Sequence, residues 1–270
     1  MTLLTWNIRG LGERPKRRIV KDFLDMNHCG VIGLRKTKLE NPSTVLLKSI
    51  SGGKISRWLL CNAVGSAGGI FVGWDGAKFD LIKDRIEKFS ITTHWFDRSR
   101  DFAWSFTCVY GPTDRNLKKS FWKELTEIHS SLNGPWILGG DFNATVEDHD
   151  RNNPEHRKCS KAFRALIRTA HLVDLPLKGQ RFTWSNHREY PILAKLDRFL
   201  ITTEMDDRCP NAFQEALSNP CLDHVPILLS LSGLKKPSSL FRFDRAGYGW
   251  MVFRRLSQEF GWSQDLERMQ

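Results

Sequence analysis

Asp141 and Asn143 follow the run Trp136-Ile137-Leu138-Gly139-Gly140 and are suited to chemistry. Three apolar residues fit a buried strand, two glycines let the backbone turn sharply, and the carboxylate and amide then emerge at the strand's end. α/β enzymes commonly present catalytic groups from such a position. Four further strand-like segments end the same way, in Asn7, in Tyr110, in Asp197, and in Asp223 with His224. Carboxylates, an amide, a phenol and an imidazole suit phosphate chemistry. Each also has a plain structural reading: an Asx turn at Asp141, a turn at Asn7, a rim residue in Tyr110, a surface ion pair in Asp197-Arg198, a packed histidine in His224. The recurrence of polar strand ends argues for the chemical reading.

The elements that must position these groups can be read from periodicity. Residues 3–8 form a strand, and a helix follows from Pro15, with Ile19, Val20, Phe23 and Leu24 on its apolar face. Val31-Ile32-Gly33-Leu34 is a short buried strand. Residues 58–61 and 69–72 flank a glycine-rich hairpin turn that lacks phosphate-loop spacing. Strands follow over 78–96 and 102–110, and Gly111-Pro112 ends the last. Asp114 caps a helix reaching Leu132, striped by Leu117, Phe121, Leu125 and Ile128. After the strand 136–139 come a polar loop over 144–157 and a helix over 158–170 that carries Phe163, Leu166, Ile167 and Ala170. Short strands are predicted at 182–184, 195–201 and 225–229. This order suits two stacked mixed sheets with outer helices, an α/β (α+β) fold. Gly233 to Ser239 reads as a linker, and an aromatic, basic tail follows.

Composition narrows the partners. Lys plus Arg exceed Asp plus Glu by 41 − 30 = 11 in a chain of 270 residues. That excess favours polyanions, and its one local cluster is Arg14, Lys16, Arg17, Arg18 and Lys21. Six scattered cysteines without a Cys-x-x-Cys pair argue against structural zinc or a disulfide framework and for reduced thiols inside the cell. No apolar run reaches membrane-spanning length, and the strand-like opening Thr2-Leu3-Leu4-Thr5-Trp6 is not expected to act as a signal peptide.

Taken in order, Thr5-Trp6-Asn7-Ile8-Arg9-Gly10, Tyr110-Gly111-Pro112, Gly140-Asp141-Phe142-Asn143, Leu196-Asp197-Arg198-Phe199 and Asp223-His224-Val225-Pro226-Ile227 resemble the endonuclease/exonuclease/phosphatase superfamily. More closely, the chain resembles the apurinic-type endonuclease domain of plant LINE (non-LTR) retrotransposons, as Phe182-Thr183-Trp184-Ser185-Asn186 and Phe241-Arg242-Phe243-Asp244 also do. The likeness covers residues 1–231; residues 232–270 resemble the connector leading toward a reverse transcriptase. The resemblance implies a four-layer α/β/β/α sandwich with one Mg²⁺-dependent site for DNA hydrolysis. Asp141 would orient or deprotonate water, Asn143 would hold water or phosphate, and His224 would contact the phosphoryl oxygen, oriented by Asp197. Tyr110 would position the phosphate, Asn7 and Asp223 would lie at the metal, and Arg9, Lys38 and Trp184 would contact nucleic acid. A DNA substrate, with RNA as the alternative polyanion, implies an intracellular, nuclear monomer.

One departure bears on the chemistry. Where the family carries Gln-Glu-Thr-Lys, this chain has Arg35-Lys36-Thr37-Lys38, so Lys36 replaces the glutamate expected to bind the metal. Glu40 could substitute only if the loop were rebuilt. Leu222 stands where a serine usually precedes Asp-His. Two expectations follow: an endonuclease by descent with impaired activity, or a catalytically dead nucleic-acid-binding module in which Lys36 meets a phosphate directly. A phosphatase or exonuclease of the same superfamily is a weaker third.

Overall fold

The computed structural model describes residues 1–51, 54–64, 67–153, 159–218 and 222–231. The chain divides into Met1–Lys235 and Lys236–Gln270; the predicted linker and tail lie outside the described residues.

The chain opens with β1 (Thr2–Asn7), α1 (Arg14–Met26), β2 (Val31–Arg35) and the short α2 (Thr44–Lys48). Five strands follow: β3 (Arg57–Val64), β4 (Ala67–Trp74), β5 (Phe79–Ile86), β6 (Ser90–Asp97) and β7 (Phe102–Tyr110). Helix α3 (Arg115–Ser131) leads into β8 (Trp136–Asp141), and α4 (Lys161–Thr169) into β9 (Leu172–Asp174). Three two-residue strands come next, β10 (Leu177–Lys178), β11 (Trp184–Ser185) and β12 (Leu193–Ala194). The described part closes with β13 (Asp197–Thr202), α5 (Thr203–Arg208), β14 (Phe213–Ala216) and β15 (Ile227–Ser230).

These strands make two large mixed sheets, β10-β14-β15-β1-β2-β4-β3 and β5-β6-β7-β8-β13-β9, and β11 pairs with β12 as a separate hairpin. Three apolar cores separate four layers. Leu3, Val31, Val72 and Trp74 of the first sheet meet Trp95, Trp104, Phe106, Ile137 and Phe199 of the second. On its outer face the first sheet packs Leu4, Trp6, Ile32 and Leu34 with Val20 and Leu24 of α1. Leu138 and Leu200 of the second sheet pack with Phe121, Leu125 and Ile128 of α3 and with Phe163 and Leu166 of α4. Successive strand residues face opposite ways, so β1 and β8, covered on both faces, carry apolar residues on both faces rather than on one. The expected α/β/β/α sandwich is the observed one.

Local differences have identifiable causes. Gly139 and Gly140 lie inside β8 and do not form its turn. A Cβ on Gly139 would meet the Phe199 ring at 2.5 Å, and Gly140 (φ +146°) would place one 2.2 Å from the Val109 carbonyl. These glycines let neighbouring strands and sheets approach, and the turn falls at Asn143 (φ +47°). Ile19 is 47% exposed, so the buried stripe of α1 is narrower than the four-residue pattern suggested. The strand at 182–184 is limited to β11, and the predicted strand over 195–201 starts only at Asp197. The short α2, α5, β9, β10, β12 and β14 carry too few residues for a periodic signal.

Candidate active site

Register brings the polar strand ends together. Asp141 ends β8 opposite Tyr110 of parallel β7 and opposite Asp197 of antiparallel β13. Asn7 ends β1 beside Arg35 at the end of β2. His224 comes from the segment before β15 and is held by a backbone bridge to Trp184 and by the Trp6 indole, which donates to its carbonyl at 3.2 Å.

The side chains form one connected network. Asn7 Nδ2 donates to Asp141 Oδ2 at 2.8 Å, and His224 Nε2 lies 3.7 Å from the same oxygen. His224 Nδ1 lies 2.8 Å from Asp197 Oδ2, which also accepts from the Thr183 hydroxyl at 3.0 Å. Asn143 donates its backbone N–H to Asp141 Oδ1 at 2.9 Å and its side-chain amide to the Gly111 carbonyl at 2.8 Å. Asp141, Asp197 and His224 are all buried, with ligand-type atoms within 4.8 Å of one another. Asp197 therefore cannot be a surface ion-pair partner of Arg198. Arg198 projects to the opposite face of β13 and pairs with Asp150 and Asp174.

The electrostatics follow from this burial. Desolvation, then the Asp197 charge, raises the Asp141 pKa, while His224 and Arg35 oppose them. Burial alone would lower the His224 pKa, but Asp197 and Asp141 reverse it, leaving it raised. Tyr110 is pushed up to about 12, by burial first and by Asp141 second.

A cavity of about 260 Å³ opens over this network. Asn7, Arg9, Lys36, Tyr110, Asp141, Asn143, Trp184 and His224 all line it. Asp197 lies buried behind His224. Asp223 turns instead toward Arg9, with which it forms an ion pair, and toward the Trp184 indole, which donates to it at 3.0 Å. Lys38 and Glu40 are exposed and do not line the cavity. Of the predicted basic cluster, Arg17 is bonded to the Leu11 carbonyl at 2.9 Å, Lys16 to that of Arg9 at 3.3 Å, and Lys21 is paired with Asp25. Those groups are engaged locally rather than gathered at the cavity.

Three participants escaped the sequence reading. Arg35 is fully buried and donates to Asp197 Oδ1 at 2.8 Å, an internal cation directly beneath the site. Its signal was present, since period two puts it on the same face of β2 as Val31, which faces the other sheet. Thr183 bridges Asp197 and the hairpin. Lys118, in the first turns of α3, donates to the carbonyls of Phe142 and Asn143 at 3.2 and 2.9 Å, and burial lowers its pKa to about 8. Only the folded turn after β8 reveals those acceptors.

The model of the Endonuclease/Exonuclease/phosphatase family matches residues 4–218. The chain belongs to that family. Among its relatives is the Transposon TX1 uncharacterized 149 kDa protein of Xenopus laevis, 28% identical over 132 residues. That match takes in 46% of this chain and 10% of the relative, so the chain spans about a tenth of the relative's length. The fold is similar to the 3′ phosphatase NExo from Neisseria, solved bound to a product DNA hairpin. That likeness has a TM-score of 0.64 at 19% identity over 86% of this chain and 99% of the other. It is also similar to the endonuclease domain of TRAS1, a telomere-specific non-LTR retrotransposon, with a TM-score of 0.63 at 13% identity over 87% and 99%.

Family members generally use divalent metals, and two oxygens would suit one. Asn7 Oδ1 and Asp223 Oδ1 are buried without a hydrogen-bond partner. The rest of the donor set does not fit. The other oxygen of Asp223 is shared by Arg9 and Trp184, both Asp197 oxygens are taken, and Lys36 lines the same cavity. A unit charge pair at 4 Å is worth about 4 kcal/mol at an effective dielectric of 20, so the repulsion of a divalent ion by Lys36 approaches roughly twice that as an upper bound. As it stands, this is a poor Mg²⁺ site.

Proposed function

We propose that this chain is a DNA-binding phosphodiester hydrolase by descent, an apurinic-type endonuclease domain of the plant LINE kind, whose Mg²⁺-dependent activity is impaired by Lys36. The observation that carries the reading is Lys36 lining the cavity beside Asp141 and His224. In-line hydrolysis needs a positioned water and a sink for charge on the phosphoryl oxygen. Asp141, with its raised pKa, is the group to orient water or take its proton, and Asn143 helps hold water or phosphate. His224 Nε2 meets the phosphoryl oxygen while Asp197 and Thr183 fix the ring through Nδ1. Tyr110 positions the phosphate, and Arg9 and Trp184 contact the nucleic acid. Asn7 would face the metal, and Asp223 could join it only by leaving Arg9 and Trp184. The natural setting of this reading is a nuclear, monomeric domain over residues 1–231, with 232–270 as connector.

A second reading, a catalytically inactive nucleic-acid-binding remnant, is supported by the Arg9–Asp223 ion pair and by the cations gathered where a metal would sit. Nicking of supercoiled plasmid in Mg²⁺ by the unaltered chain beside Lys36→Glu separates the two. Weak nicking that Lys36→Glu enhances supports the impaired enzyme. No nicking from either, with DNA binding retained, supports the remnant. Robust nicking by the unaltered chain, abolished by Asp141→Ala, overturns impairment.

A further inference from the structure

A second depression, of about 300 Å³, shares Trp184 with the first. The wall between them is a short two-stranded ladder: Ser185 N–H donates to the Asp223 carbonyl at 3.0 Å and Val225 N–H to that of Thr183 at 2.9 Å. Alternation along this ladder turns His224 into the first cavity and Asp223 and Val225 into the second. Phe182, Leu222 and Val225 give the second depression apolar walls, while Gln180 and Arg181 supply polar groups. The Arg181 guanidinium lies over the Phe182 ring, 5.2 Å from its centroid.

We infer that this second depression is a nucleobase subsite, taking one unstacked base of the DNA strand whose phosphate occupies the neighbouring cavity. The inference rests on the DNA-binding reading above. Continuity argues for it, because a wall shared with the phosphate site places the depression within reach of an adjoining nucleotide. Its chemistry matches as well. Every base offers a π-face that stacks on aromatic side chains, and its edge bonds to amide and guanidinium groups. The site is also preorganised: the Trp184 indole is pinned to Asp223 at 3.0 Å, and the backbone on both sides is bridged, so little ordering remains to oppose binding. Leu222 gains a role here, as an apolar wall where the family pattern has serine.

The test compares equilibrium binding of a short oligothymidylate with an abasic oligonucleotide of equal length, which keeps every phosphate and removes every base. The unaltered chain should bind the oligothymidylate about tenfold more tightly. Leu222→Trp, which fills the depression, should remove most of that preference and leave binding of the abasic strand unchanged. Circular dichroism verifies its fold. Should it fail to fold, Phe182→Ala serves instead, with a several-fold loss expected for oligothymidylate only. Equal binding of both strands by the unaltered chain, or equal weakening of both by either folded variant, overturns the subsite and leaves the DNA reading standing. Failure of the unaltered chain to bind either strand overturns both.

Discussion

The cavity has two dissimilar sides. The β8–β13 side presents Asp141 bonded to the Asn143 backbone and, separately, a His224 fixed by Asp197 and Thr183. On the β1–β2 side stand Arg9, Arg35 and Lys36, with Asn7 as the neutral member. One side carries buried carboxylates and an imidazole; the other sets Arg9 and Lys36 at the cavity with Arg35 beneath it. The difference lies in how charge is balanced: Asp197 is paired with Arg35 and His224, and Asp223 with Arg9. On the proposed reading, the two sides can be tested separately, one through polyanion binding and the other through hydrolysis.

The sharpest way to break this comparison is to restore the altered side and then remove the intact one. In a Lys36→Glu background, Asp141→Ala should cut Mg²⁺-dependent nicking by about 10³-fold, the scale of a general base. A residual rate near that of Lys36→Glu alone would mean that β8 does not supply the chemistry. Next in size is Arg35→Met. Loss of one partner from a buried ion pair costs about 3–5 kcal/mol, and because Asp197 keeps His224 and Thr183, the lower end is expected in urea unfolding. An unchanged midpoint would show that the cation contributes nothing to the fold.

Two smaller changes target Lys36. Lys36→Glu should raise the affinity for Mn²⁺, used as a spectroscopic stand-in for Mg²⁺, at least about tenfold, since it both removes repulsion and adds a carboxylate. No gain in titration calorimetry would place the lesion elsewhere, with Arg9 on Asp223 the next suspect. Lys36→Ala should weaken DNA binding a few-fold and lower the slope of log K against log salt by about one. An unchanged slope would mean that Lys36 touches no phosphate.

The two sides were also unequally legible in the sequence. Asp141 and Tyr110 announce themselves because each ends an apolar run, and Asp197 and His224 because each precedes one; the sheet register aligns Asp141, Tyr110 and Asp197. The layers were readable for the same reason: long α1, α3 and α4 carry clear stripes, and β1 and β8 are apolar on both faces. Lys36 stood out only against the family pattern. Arg35 was passed over as a loop residue although β2 extends through it. The partners of Asp223 were beyond reach, because Arg9 and Trp184 are far from it along the chain and meet it only through the ladder before β15. Lys118 was hidden likewise, its acceptors being backbone carbonyls of a turn contributed by another element.

The smallest expected effect reads the coupling of His224 to the intact side. Its pKa in the folded protein is raised, since Asp197 and Asp141 outweigh the opposing burial. A raised folded pKa means that the folded state binds the proton more tightly than the unfolded chain, whose histidines titrate near about 6.5. The stabilisation is therefore complete below that value and is lost as pH rises through the folded pKa. The stability gap between the unaltered chain and His224→Gln should be larger at about pH 6 than at about pH 9 in urea unfolding. A gap that is constant, or that widens with pH, would show that His224 is held neutral. Its one proton would then sit on Nδ1 against Asp197, leaving Nε2 without a proton to donate to a phosphoryl oxygen.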